Sequence, residues 1–415
     1  MKPLLLTNIG TLVTPVGSAA KGGALQGEVQ VLKNAWVLIC DGIIHSLGEG
    51  IHPHAEDADT VDCGGRLVTP GLVDAHTHLI FGGWRQHEMA LKLKGVPYLE
   101  ILAQGGGILS SVTATRSATR EELADKARLA LDEMLSFGTT TVEGKSGYGL
   151  STEEELKQLR AMKALNETHP MDVVPTFMGA HAVPKEYKEN REEYIRLICE
   201  EMIPAVAGEK LARFCDIFCE SGVFTAGESQ HILEVGRQYG LIPKIHADEI
   251  DPIGGSQLAG EIGAISAEHL IVCPPEGIAS MAKGGTIACL LPATSLYLGA
   301  TFAPARDMVN AGVPVAMASD FNPGSCPCLN LQLVMNLGCL RYRLTPEEVL
   351  TAVTLNGAAA IGMADTVGTV EAGKQGDLVI WDAPDLNYIC YRMGSNLVHR
   401  VVKRGRVFTK NTWAN

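Results

Sequence analysis

Residues 71–79 read GLVDAHTHL and set His76 and His78 two positions apart at the end of an apolar run. Side chains at i and i+2 of an extended strand point to one face, so the two imidazoles present together. They are either packed core side chains or the first two ligands of a metal ion, and the pair alone does not separate these readings. Later segments of the same kind do. "IPKIHADE" ends with His246 and Glu249, "AISAEHL" with His269, and "GVPVAMASD" with Asp320. Taken singly, His246 could be a solvated loop histidine, His269 a core histidine bonded to backbone, and Asp320 a helix cap, although Asn322-Pro323 after it fits a turn better. Together they offer imidazole and carboxylate ligands, a set that suits zinc or iron in a site with one position left open.

Working outward, strand-like and helix-like segments alternate from residue 67 to residue 364. Eight strand candidates appear: "LVTPGLVDAHTH", "TTTVEGKSG", "MDVVPTFMGAH", "RFCDIFCESG", "IPKIHADE", "AISAEHL", "GGTIACLLP" and "GVPVAMASD". Helix starts are signalled by Thr119 with Glu122, Ser151 with Glu154, a start near Thr225, and Thr345 with Pro346 and Glu348, while Gly138 reads as a stop. Eight β/α units predict an α/β protein built on a TIM-like (β/α)8 barrel, whose chemistry gathers at the C-terminal ends of the strands. A doubly wound open sheet is the alternative, but no glycine-rich dinucleotide loop follows the first strand, and "AQGGGIL" at 103–109 lacks the frame. The ends differ. Residues 1–66 and 365–415 alternate short apolar runs with turn signals, including Asp41-Gly42 and Arg404-Gly405. Neither end carries enough apolar surface for its own core, so the two are expected to join in one small β-sandwich.

Lys and Arg number 34 against 47 Asp and Glu, a formal charge of −13. That balance disfavours nucleic acid or an anionic membrane as partner and favours a small-molecule substrate. No stretch approaches the ~20 apolar residues that span a bilayer. The opening "MKPLLLTNIG" is too short an apolar run for a secretory signal, and the 11 scattered cysteines read as reduced thiols, so a cytoplasmic protein is expected. Cys326-Pro-Cys328 reads as loop packing.

His-x-His on the first strand, His246 on the fifth, His269 on the sixth and Asp320 on the eighth resemble the pattern of the amidohydrolase superfamily. Many binuclear members carry a carboxylated lysine on strand 4. Here that strand ends in Glu220 with no lysine, while Lys145 falls on strand 2, which implies a single divalent ion, Zn²⁺ or Fe with Zn²⁺ favoured. The resemblance implies His76, His78, His246 and Asp320 as its ligands. Six blocks, "HTHLIFGGWRQHEM", "ILAQGGGILSSV", "EGKSGYGL", "TFMGAHAVP", "KIHADEIDPIGG" and "ASDFNPGS", are similar in order and content to the imidazolonepropionase family.

What that resemblance implies is hydrolysis of the cyclic amide of 4-imidazolone-5-propanoate to N-formimidoyl-L-glutamate, the third step of histidine degradation, by a homodimer. Water activated by the ion would attack the ring carbonyl, with Asp320 as base, His269 polarising the carbonyl, and Glu249 moving a proton to the departing nitrogen. Implied substrate contacts are Arg85, Tyr148, His181 and Glu249, with Asn322, Gly324 and Ser325 meeting the opened product; Tyr98, a further candidate to reach the carboxylate, stands outside this set. Arg85 as a surface arginine beside Trp84, Tyr148 as core packing and His181 as a structural histidine are the plainer alternatives. A deaminase on the same barrel is the rival enzyme, and a metal-free scaffold the rival without catalysis.

Overall fold

The computed structural model describes residues 2–55, 57–96 and 106–409. Its strands are β1 (Leu4–Thr14), β2 (Gln30–Cys40), β3 (Ile43–Glu49), β4 (Asp59–Asp62), β5 (Leu67–Pro70), β6 (Leu72–Asp74), β7 (Thr139–Lys145), β8 (Asp172–Ala180), β9 (Phe214–Cys219), β10 (Ile242–Ala247), β11 (Ser266–His269), β12 (Ile287–Leu290), β13 (Val315–Met317), β14 (Leu378–Trp381), β15 (Val398–Lys403) and β16 (Arg406–Phe408).

The strands from the two chain ends form one mixed sheet in the order β16-β15-β14-β5-β1-β2-β3, with β4 paired to β1. The joint lies between β5 and β14, which pair antiparallel. Both expected hairpin turns form. Asp41 and Gly42 have φ of 49° and 81°, and Arg404 and Gly405 have 48° and 75°. Positive φ at both central residues is what a two-residue turn between right-twisted strands requires.

β6 to β13 run in chain order, each parallel to the next. Their two edges also meet. Thr77 and Phe321 form a parallel bridge, the Asp320 amide donates to the His76 carbonyl at 3.0 Å, and the His78 amide donates to the Phe321 carbonyl at 2.8 Å. All eight predicted strands are therefore present in an almost fully closed barrel, with the residues after β6 and β13 forming its seam.

Helices cover the outside where their apolar residues recur at helical spacing. In the helix Arg120–Ser136, Leu123, Ala127, Leu131, Met134 and Leu135 are buried. Its capping box forms between Thr119 and Glu122, as do those of Thr225 with Glu228 and Thr345 with Glu348. One start signal works differently. Ser151 stands at the N-cap of the helix Thr152–Thr168 but makes no capping bond. The carboxylate of Glu155 instead accepts the amides of Gly147, Gly149 and Leu150 at 3.0, 2.8 and 2.8 Å, because the preceding loop folds back over the first turn of the helix. At the foot of the barrel, Lys403 on β15 bonds Asp172 at the start of β8 and Asp377 just before β14, at 2.6 and 2.7 Å. No described helix is long and apolar enough to cross a membrane.

Candidate metal centre

His76 and His78 leave the barrel just past β6, His246 projects from β10, His269 ends β11, and Asp320 follows β13. The fold brings all five together at the C-terminal end of the barrel, and all are buried. Nε2 of His246 lies 3.4 Å from Nε2 of His78, and Oδ1 of Asp320 lies 3.4 and 3.7 Å from Nε2 of His76 and His78. Ligand atoms of His76, His78 and His246 fall within 4.8 Å of one another, as do those of His76, His269 and Asp320.

The opposite ring nitrogens explain the aim. Nδ1 of His76 donates to Oε2 of Glu268 at 2.7 Å, and Nδ1 of His246 to Oδ1 of Asp216 at 3.1 Å. An imidazole bonded to a carboxylate through one nitrogen turns the lone pair of the other toward a metal. Nε2 of His76 and Oδ1 of Asp320 are buried without a hydrogen-bond partner among the described residues. Buried polar atoms normally have partners, and a divalent cation satisfies both of these. Burial also holds the His76, His78 and His269 pKa values well below the ordinary imidazole range, which leaves neutral rings suited to ligation. The donor set therefore fits a divalent metal ion. His269 and Asp320 take left-handed backbone, with φ of 69° and 56°. Such conformations are costly away from glycine and cluster at functional sites.

Asp320 has two differently engaged oxygens. Oδ2 accepts from the Thr294 hydroxyl at 2.6 Å, while Oδ1 faces the imidazoles. Burial pushes its carboxyl up to about 6. Glu249 lies 3.7 Å from Nε2 of His269, and burial, reinforced by the neighbouring Asp320 and Glu220 charges, pushes it up to about 8. A carboxyl in that range holds a proton at neutral pH and can deliver it.

The remaining predicted residues border the same space. The ring of His181 stacks on that of His78 at 4.8 Å and 13°, and its Nδ1 bonds the Gly147 carbonyl at 3.0 Å. Burial drops its pKa to about 3. Tyr148 is buried, with its ring 5.8 Å from His78 and 5.3 Å from His181. Its amide is fixed by Gln158, whose Oε1 accepts at 3.1 Å. The Arg85 guanidinium lies directly on Gly324, where a Cβ would fall 1.2 Å from one of its nitrogens. Asn322 shapes this loop. Its Oδ1 accepts the amides of Gly324 and Ser325 at 2.9 and 2.7 Å and the Ser325 hydroxyl at 3.1 Å, and its Nδ2 donates to the Asp320 carbonyl at 2.8 Å. Cys326 packs in the same loop, 3.2 Å from the Ser319 carbonyl. Tyr98 lies outside the described residues.

Sequence reasoning missed the carboxylates behind the ligands. Asp216 and Glu268, with Glu143, Lys145 and Lys244, are completely buried. Lys145 bonds Glu143 and Asp216 at 2.8 and 2.7 Å, so it stands as a paired ammonium. The overlooked signal was ionisable side chains inside otherwise apolar barrel strands, as in "CDIFC" and "PKIHA".

The amidohydrolase family model matches residues 67–408. An imidazolonepropionase from Alkaliphilus metalliredigens is 51% identical over 413 residues, covering 98% of this chain and 98% of that protein. One from Streptococcus sanguinis is 51% identical over 411 residues, covering 97% of each. Among solved structures, an E. coli guanine deaminase aligns with a TM-score of 0.74 at 15% identity, over 99% of this chain and 100% of that one. A zinc-bound adenosine deaminase from Xanthomonas campestris aligns with a TM-score of 0.72 at 21% identity, over 97% and 92%. At those identities the two structures show the shared fold alone. With about half of its residues matched over nearly its whole length, the chain belongs to the imidazolonepropionases of the amidohydrolase family.

Proposed function

We propose that the protein hydrolyses the cyclic amide of 4-imidazolone-5-propanoate to N-formimidoyl-L-glutamate, the third step of L-histidine degradation. The observation that carries this reading is the convergence of three imidazoles, a carboxylate and the proton-holding Glu249 in a chain about half identical to imidazolonepropionases. His76, His78, His246 and Asp320 would hold one divalent ion, Zn²⁺ in preference to Fe. When bound, such an ion polarises a carbonyl and lowers the pKa of water from ~15.7 to about 7.

The protein's own groups carry the other steps. Asp320 takes a proton from the attacking water as the water oxygen bonds the ring carbonyl carbon. His269 polarises the carbonyl oxygen. As the carbon–nitrogen bond breaks, Glu249 delivers its proton to the departing nitrogen. Arg85 grips the propionate through paired hydrogen bonds that a lysine cannot reproduce. Tyr148 and His181 wall the pocket beside His78, and Asn322 holds Gly324 and Ser325 where the opened product would meet them. The protein would act as a cytoplasmic homodimer on a small molecule.

A deaminase reading is favoured by one observation, the fold shared with the guanine and adenosine deaminases. The test is a steady-state assay with freshly generated imidazolonepropionate and with aminated heterocycles, each with and without a chelator. Ring opening abolished by the chelator is expected; ammonia release from the heterocycles without ring opening would replace this function with deamination.

A further inference from the structure

Beneath the imidazoles, five ionisable side chains with no exposed surface line the inside of the barrel: Glu143 and Lys145 on β7, Asp216 on β9, Lys244 on β10 and Glu268 on β11. They form one chain of alternating charge. Asp216 Oδ2 lies 2.7 Å from Lys145 Nζ, which lies 2.8 Å from Glu143 Oε2. Glu143 Oε1 lies 3.3 Å from Lys244 Nζ, which lies 3.2 Å from Glu268 Oε1. The free sides are tied off by neutral groups. Thr176 donates to Glu143 and Ser266 to Glu268, both at 2.5 Å, the Ile217 amide donates to Asp216 at 2.8 Å, and Lys244 reaches the Ala360 carbonyl at 3.3 Å.

The chain begins and ends on candidate ligands. Its terminal carboxylates are the groups that accept Nδ1–H of His246 and His76. Three carboxylates against two ammonium groups leave one net negative charge under the point where Nε2 of these rings converges. Barrel interiors are ordinarily filled by branched apolar side chains. A buried ion network replaced by apolar residues of similar volume is often no less stable, so folding alone does not call for this one. A trio of His76, Glu268 and Cys289 also brings ligand atoms within 4.8 Å, but the Lys244 ammonium already neutralises Glu268 there.

We propose that this arc positions the metal. Lys145 and Lys244 pin Asp216 and Glu268, these pin the rings of His246 and His76, and the arc thereby sets how tightly the divalent ion is held. Lys145, Lys244, Glu143, Asp216 and Glu268 are positioning residues, and the inference rests on the ligand assignment proposed above.

The experiment measures the Zn²⁺ dissociation constant of the full chain by competition with a chelating dye, in the absence of substrate, for the unaltered protein and for E268Q, D216N, K145M and K244M. K403Q serves as control, because Lys403 is an equally buried, paired lysine remote from the site. E268Q and D216N keep side-chain shape and remove charge, and each is expected to weaken Zn²⁺ by ~10–100-fold, the usual loss when a partner of a metal-bound histidine is changed. K145M and K244M shift affinity in the same direction. K403Q lowers the melting temperature and leaves affinity unchanged. In Co²⁺-substituted protein, the visible absorption bands move in E268Q and D216N and stay in place in K403Q. Unchanged Zn²⁺ affinity in folded E268Q and D216N overturns the proposal, as does an equal loss in K403Q. Should K145M or K244M fail to fold, the two isosteric variants decide. Tight Zn²⁺ binding without ring opening would remove the proposed reaction and leave this inference standing, whereas an unaltered chain that binds no Zn²⁺ would remove both.

Discussion

Among the described residues, fully buried lysines occur in two places, and they have different surroundings. Lys403 joins β15 to Asp172 and Asp377 at the foot of the barrel. Its partners then turn outward: Asp172 also pairs with the half-exposed Arg404 side chain, and Asp377 accepts the Arg404 amide at 2.9 Å. Lys145 and Lys244 lie higher in the same barrel, and their partners turn inward to His246 and His76. The chemistry of the pairs is alike. One cluster fastens the sheet from the chain ends to the barrel, and the other terminates on a candidate reactive centre. What a buried ion pair does is decided by what its second partner touches.

The contrast can be broken by variants that should separate stability from chemistry. Asp320→Asn has the largest expected effect, a fall in kcat/KM of ~100–10,000-fold from loss of a positioned base, read by the ring-opening assay. Retained metal together with full turnover would remove Asp320 from its role. Lys403→Gln should cost about 3–5 kcal/mol of stability, the usual result of stripping one partner from a buried pair, with KM and kcat unchanged; chemical denaturation beside kinetics checks it, and altered kinetics would erase the distinction between the two regions.

Glu249 sharpens the comparison through pH. Its carboxyl is pushed up to about 8, so the protonated form needed to serve the departing nitrogen is present below that value and lost as pH rises through it. The pH profile of kcat should fall above about 8, and Glu249→Gln should lower the rate and remove that limb. A limb that persists in the variant assigns the proton to another group. The smallest of these effects is at Gly324. An added methyl meets the Arg85 guanidinium and should raise KM by ~10–100-fold, in keeping with the ~1.5–3 kcal/mol of a hydrogen bond to a charged group. Arg85→Lys should do the same, and because the two residues touch, the double variant should be less than additive.

The sequence shows best what is locally encoded. The capping boxes of Thr119 and Thr345, both two-residue turns and all eight barrel strands depend on residues within a few positions of one another, and each is found in the structure. The candidate ligands were legible because strand ends carry the chemistry in such a barrel. Two local signals needed tertiary information. Ser151 has the right composition for a cap, yet the returning loop gives that work to Glu155. Asn322 sits among site residues, yet both its polar side-chain atoms shape the loop. The charged arc was hidden for a related reason: its members come from four strands, and their pairing exists only once the strands are side by side.

The seam between the residues after β6 and those after β13 has a consequence for chain topology. His76 and Asp320 lie on opposite lips of the closure and also share a backbone hydrogen bond of 3.0 Å. An ion held by both would act as a reversible cross-link enclosing almost the whole barrel between its two attachment points. Long closed loops lose the most freedom when tied, and binding only to the folded form adds stability by mass action. Metal at this seam would thus work as a clasp, and chelation should lower the unfolding temperature even where no substrate is ever bound.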